Sequence, residues 1–264
     1  MTIGFKHLPG FILILGAALC QMAMAADALW IEDLTWVELK ARIDAGDTSV
    51  ILPTGGIEQN GPYIALGKHN LVVAYAAQEI AKSVGHTLIA PVVKVVPQGS
   101  MEKPSGNLVY PGTMAVREET FEQVLNDMVL SLAFAGFQRI YLLADHGMSQ
   151  EPQQKVATKM GQVLAAAHVR VVHLSAFYDP ALEAHYLKQR GVPENAQGFH
   201  AGVADTAQIL AVSPLAVRPL HASKGADNAS ELGYSGQPDK ADARLGRELL
   251  QLRVDAAVRQ VLGK

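Results

Sequence analysis

Short, wholly apolar runs alternate along this chain with longer helical patterns, and few folds accept that order. Residues 49–53, 87–90, 92–96, 139–143 and 169–174 are each four to six residues long and dominated by Val, Ile and Leu, with Pro91 splitting the second run from the third. A strand that is apolar along its whole length is covered on both faces. Residues 31–46, 71–84, 118–135, 151–167, 203–210 and 241–262 instead carry a helical period, as Val72, Ala76 and Ile80 do, or Phe121, Leu125, Met128 and Leu132, or Leu245, Leu249, Leu252 and Ala256. Asp33 reads as the cap of the first helix and Gly46 as its stop. The alternation predicts a three-layer α/β/α sandwich around a mostly parallel sheet. Residues 113–116 are read as a further short strand.

In such sheets, ligands gather beyond the carboxyl ends of the strands. Three polar clusters fall there: Glu58 with Asn60 and His69, Asp145 with His146, and His200 with Asp205. The Gly, Ser and Pro-rich stretch 98–112 is long enough for a functional loop. Imidazoles and carboxylates drawn from separate loops are what a hydrolytic zinc or manganese site needs, because the metal acidifies a bound water. Structural readings stand beside these: Glu58 capping its loop, Asp145-His146-Gly147 as an Asx turn, His200 at a helix start with Asp205 solvated. His86, His168, His173, His185 and His221 lack an acidic partner in a glycine turn and read as structural or surface residues.

The first 25 residues read as a secretory signal peptide. Lys6 precedes an apolar run from Phe11 to Cys20, and Ala23-Met24-Ala25 offers small residues for cleavage after Ala25. That run is too short for a membrane span. Residues 26–264 then form a single domain, expected in the periplasm. Cys20, the only cysteine, leaves with the signal, so neither a disulfide nor a thiolate nucleophile is available. Without Lys6 the 264-residue chain's net charge of −3 becomes −4, with no basic tract, which argues against nucleic acid or an anionic membrane as partner. A small-molecule substrate is the expectation. There is no GxxxxGK[ST] phosphate loop, G-x-S-x-G elbow or complete dinucleotide fingerprint.

The clusters together resemble the creatininase (creatinine amidohydrolase) family. Gly56-Ile57-Glu58-Gln59-Asn60-Gly61-Pro62 resembles its G-S-x-E-Q-H-G-P-H signature, and Tyr110-Pro111-Gly112-Thr113 its F-P-G-T. His146-Gly147 falls where the family's N-G-H loop follows a strand, and His200 to Thr206 is similar to H-A-G-x-x-E-T. Gly233 to Pro238, with Ala241 and Gly246, matches the closing G-x-x-G-x-P-x-x-A pattern. The resemblance implies a three-layer fold, a homo-oligomer (a hexamer in the family) and a two-metal amidohydrolase opening linear or cyclic C–N bonds.

Carried over by position, Glu58 and His146 are retained as ligands of the first metal. Asn60 stands at the second-metal histidine, His69 at the bridging aspartate and Met148 at an acidic ligand. Thioether and neutral amide are poor ligands for zinc or manganese. The expectation is therefore one divalent ion per chain on Glu58, His69 and His146, with His200 shuttling protons and Asp205 orienting it. Phe199, not tryptophan, precedes His200, so creatinine is not the expected substrate. Two alternatives stay open: a ligand-binding relative that has lost the metal, and a metal-independent enzyme using Glu58, Asp145 and His200 as acids and bases.

Overall fold

A computed structural model describes residues 27–219 and 230–264. The expected signal segment, His221 and the start of the Gly, Ser and Asp-rich segment at 223–240 lie outside them. Among the described residues no helix is long and apolar enough to cross a membrane.

Four strands make one parallel sheet: β1 (Ser49–Thr54), β2 (Thr87–Ile89), β3 (Arg139–Ala144) and β4 (Arg170–His173), in the order β2-β1-β3-β4. Among the described residues eight α-helices accompany them: α1 (Trp36–Asp44), α2 (Lys68–Val84), α3 (Glu118–Ala135), α4 (Gln150–Val163), α5 (Pro180–Gln189), α6 (Glu194–Gln197), α7 (Val203–Val212) and α8 (Ala243–Leu262). Side chains alternate across a strand, and both alternating sets are apolar. Ile51, Ile89, Tyr141 and Leu143 pack with residues of α2, α7 and α8 in one core. Val50, Leu52, Leu88, Ile140 and Leu142 meet Phe121, Leu125 and Val129 of α3 and Val156 and Met160 of α4 in the other. A small third core of Leu187, Ala196, Val203, Ala207, Leu245 and Leu249 fastens α5 and α6 against α7 and α8. The expected α/β/α layering is what the chain adopts.

Several local expectations change. Thr35 caps α1, not Asp33: Glu38 N donates to Thr35 Oγ1 at 3.3 Å and Thr35 N donates to Glu38 Oε2 at 2.8 Å, a reciprocal box. Asp33 ends a separate 3-10 turn. Residues 92–96 and 113–116 form no ladder and make only isolated bridges: Val93 with Thr54 of β1, Val96 with Ala115, and Met114 with Ile57 in the loop after β1. On α8 the inner face carries Arg253 and Val254, while Leu252 is only half-buried. Helices α7 and α8 cross at Gly246, where a Cβ would lie 1.8 Å from Ala207 O, so no larger residue allows that approach.

β4 ends in His173, buried, with Nε2 3.1 Å from Gln150 Oε1. Burial lowers its pKa to about 4 from an ordinary 6.5. A histidine kept neutral in the fold loses stability as pH falls from the unfolded value through the folded one. Between pH 6.5 and 4 this group is expected to remove about 2 kcal/mol, allowing for solvent screening. Urea unfolding at pH 7 and pH 4.5 should show that part of the pH dependence vanish in His173→Asn. An undiminished slope would assign the loss to other groups.

Candidate metal centre

The strand order places a topological switch point between β1 and β3. From β1 the chain crosses to β2 on one side, and from β3 to β4 on the other. The crevice at the carboxyl ends of these two central strands is where parallel sheets bind ligands. Glu58 follows β1 and His146 follows β3.

The turn after β1 is held tightly. Asn70 Oδ1 accepts from Gly56 N at 3.0 Å, and a Cβ on Gly55 would lie 2.1 Å from that same oxygen. Glu58 N donates to Leu66 O at 3.0 Å. Helix α2 starts at Lys68, three residues before its apolar pattern, so Lys68 and His69 occupy its first turn and are both buried. The turn after β3 is anchored by Asp145 N donating to Thr54 O at 3.2 Å.

Glu58, His69 and His146 converge. Each offers one ligand atom, and these atoms lie within 4.8 Å of one another, all buried. Glu58 Oε1 is 2.7 Å from His69 Nε2 and Oε2 is 2.9 Å from His146 Nε2. Asn107 Nδ2, from the 98–112 loop, donates to Oε2 at 2.9 Å. Asp145 Oδ2 lies 2.7 Å from His69 Nδ1 and so turns His69 Nε2 toward Glu58. A carboxylate held against the far ring nitrogen of an imidazole is the usual support of a histidine metal ligand. His146 Nδ1 is buried without a hydrogen-bond partner. One carboxylate and two imidazoles are a donor set suited to a single zinc or manganese ion.

Electrostatics follow from burial and pairing. Burial works to raise the Glu58 carboxyl, but the hydrogen bonds of His146 and His69, with His200 close by, hold it far below the usual range. Burial opposes charge on His69, yet Asp145 and Glu58 raise its pKa; burial lowers that of His146. Asp145 is buried too, and Arg253 keeps it ionised from 2.5 Å.

His200 and Asp205 lie at the same crevice with different partners from those expected. His200 Nδ1 is 3.4 Å from Glu58 Oε1, close but without a hydrogen bond. Asp205 does not orient it: Asp205 Oδ2 accepts from Lys68 Nζ at 2.7 Å and from Ala201 N at 3.3 Å. His200 and Ala201 both take positive φ, 52° and 86°, a conformation that costs non-glycine residues of order 1–3 kcal/mol and gathers at functional sites. Asn60 is wholly buried and its amide donates to Glu58 O at 2.9 Å, while Met148 stands half-exposed at the cavity wall. Lys68, Asn107 and Arg253 are the residues that sequence reasoning missed. For Asn107 the signal was the unusual loop; for the two cations there was none. These groups line a cavity of about 600 Å³ whose other walls include Leu187, Tyr178 and Phe199.

Comparison with known proteins covers most of the chain. The family model described as creatininase, creatinine amidohydrolase, matches residues 32–261. A creatinine amidohydrolase of Pseudomonas putida is 28% identical over 196 residues, 71% of this chain and 73% of that protein. A 3-dehydro-scyllo-inosose hydrolase of Thermotoga maritima is 24% identical over 186 residues, 70% of this chain and 57% of the relative. A solved manganese form of creatininase superposes with a TM-score of 0.69 at 22% identity, over 90% of this chain and 98% of that one, a likeness of fold.

Proposed function

The chain belongs to the creatininase family, and from that premise we propose that it is a metal-dependent hydrolase of C–N bonds, amide or cyclic amide, working with one divalent ion. Glu58, His69 and His146 would hold the ion. The observation that carries this reading is their convergence at the switch point, with Asp145 fixing the ring of His69. Zinc or manganese, when bound, supplies an acidified water and polarises a carbonyl.

The chain's own residues supply the remainder. Asp145, neutralised by Arg253, keeps the His69 Nε2 electron pair aimed at the site. His200, partly open to the cavity, accepts the proton lost by the attacking water and returns it to the departing nitrogen, so that amide and water become acid and amine. Asp205 holds the strained His200 loop through Ala201 N and leaves the imidazole free to turn. Leu187 and Phe199 give the cavity an apolar wall, and Phe199, 74% exposed, precedes His200. Both support a small amide other than creatinine as substrate.

We also propose that the protein acts in the periplasm after cleavage behind Ala25, and that it forms a homo-oligomer. The apolar run 11–20 and the Ala-Met-Ala triplet support the first. Exposed Trp36, Phe134 and Leu215 support the second.

Metal removal tests the function. Dialysis against a strong chelator should abolish hydrolysis of a panel of lactams and hydantoins, and zinc or manganese should restore it. A folded protein that takes up no stoichiometric metal overturns the proposal. Full turnover after chelation would select metal-independent acid–base chemistry, and thermal stabilisation by panel members without turnover would select a binding protein.

A further inference from the structure

The floor of the cavity has an uneven charge inventory. Glu58, Asp145 and Asp205 are carboxylates held ionised, while burial pushes Glu183 toward its neutral form. Opposite them stand Lys68 and Arg253. Arg253 Nη2 is committed to Asp145 Oδ1 at 2.5 Å. The Lys68 side chain is only 5% exposed, with Nζ 2.7 Å from Asp205 Oδ2 and 3.6 Å from Glu58 Oε1. A buried ammonium is costly unless it is paired. Asp205 supplies the nearer half of that pair, and Glu58 shares the same cation from farther off.

We propose that Lys68 is a built-in cation of the site: it limits the centre to one divalent ion and sets its affinity, with Asp205 as the counter-charge that keeps Lys68 from expelling the metal. This rests on the metal-hydrolase reading. Each divalent ion adds two positive charges beside the fixed cations Lys68 and Arg253, so a second ion meets more like charge than a first. Like charges at such separations in a poorly solvated site repel strongly. Lys68 also touches the very oxygen, Glu58 Oε1, that faces His69, so its charge acts directly on the ligand trio.

The test is zinc binding measured by equilibrium dialysis and chelator competition on the full chain. Wild type should bind one equivalent. Lys68→Met should bind zinc at least tenfold more tightly, and Asp205→Asn at least tenfold more weakly. The double variant should return to within a few-fold of wild type, and Lys68→Arg should match it. Disruption of the fold weakens binding in every variant, so the opposite signs separate charge from misfolding. Should Lys68→Met fail to fold, Asp205→Asn and Lys68→Arg still decide: unchanged affinity in Asp205→Asn overturns the inference. So does unchanged or weaker affinity in a folded Lys68→Met. A wild type that binds zinc while these variants are indifferent defeats only the role of Lys68. A wild type that binds none defeats the hydrolase reading with it.

Discussion

Replacing Arg253 with methionine is expected to lower the unfolding free energy by about 3–5 kcal/mol, because it removes one partner of a buried ion pair and strands the other. Methionine keeps most of the volume and none of the charge. Arg253 Nη2 donates to Asp145 Oδ1 at 2.5 Å, Nη1 to Gln208 Oε1 at 2.7 Å and Nε to the Phe177 carbonyl at 3.0 Å. Its guanidinium also lies 4.0 Å from the centroid of the Phe177 ring. All of these are lost together. For a domain of this size the melting temperature should fall by roughly 10 °C. Arg253→Lys keeps the charge without the planar fork and should fall between the two. The pH dependence identifies the cause. In wild type Arg253 holds the Asp145 pKa below its ordinary value against burial, so this stability is present above about pH 4 and lost as pH falls through the lowered value. The gap between wild type and Arg253→Met should therefore narrow as the solution is acidified from pH 7 to pH 3. A gap below 1 kcal/mol at pH 7, or one that does not narrow, would mean that Asp145 finds its counter-charge elsewhere.

The sheet was legible because strands buried on both faces write continuous apolar runs, as β1 and β3 do; the edge strand β4 shows only Val171 and Val172, both partly buried. The same signal misled at 92–96: its valines pack against the sheet, but Pro91 turns the backbone away and leaves single bridges instead of a ladder. Glu58, His69 and His146 could be picked out because imidazoles and a carboxylate in glycine turns beyond strands are an uncommon combination. Lys68 and Arg253 could not. A cation in a helical pattern reads as part of a solvated face, and its burial is decided by a partner far along the chain. Asp205 lies 137 residues from Lys68, and Asp145 lies 108 residues from Arg253. The expected pairing of Asp205 with His200 failed for the same reason. Five residues apart suggests a local contact, but Asp205 points across to α2, where a buried ammonium needs it more than an imidazole that is partly open to solvent.

Glu58→Gln is expected to abolish metal binding and hydrolysis together while the chain still folds. The amide has the shape of the carboxylate but removes the only anionic member of the ligand trio. Loss of a group that merely steers a ligand costs metal affinity about 10–100-fold, so loss of the anionic ligand itself should cost more. The amide also cannot satisfy its surroundings. Glu58 Oε1 faces His69 Nε2 and lies near Lys68, and Oε2 faces His146 Nε2 and accepts from Asn107. A carboxylate accepts from all sides; one face of an amide must donate, and on either face an N–H of Asn107 or the ammonium of Lys68 is already present. Thermal unfolding with and without metal separates these effects. Zinc or manganese at a hundredfold excess over its dissociation constant should stabilise wild type by about 2.7 kcal/mol and leave Glu58→Gln unmoved. Parallel runs on Asn60→Ala should retain the full metal shift, because Asn60 stands outside the Glu58, His69 and His146 trio and its side-chain nitrogen donates to the Glu58 main-chain carbonyl at 2.9 Å. If Glu58→Gln kept the metal shift, the trio would be a buried hydrogen-bond network in which the carboxylate serves the fold. A metal shift kept by Asn60→Ala and lost by Glu58→Gln makes that carboxylate the residue on which the centre is built.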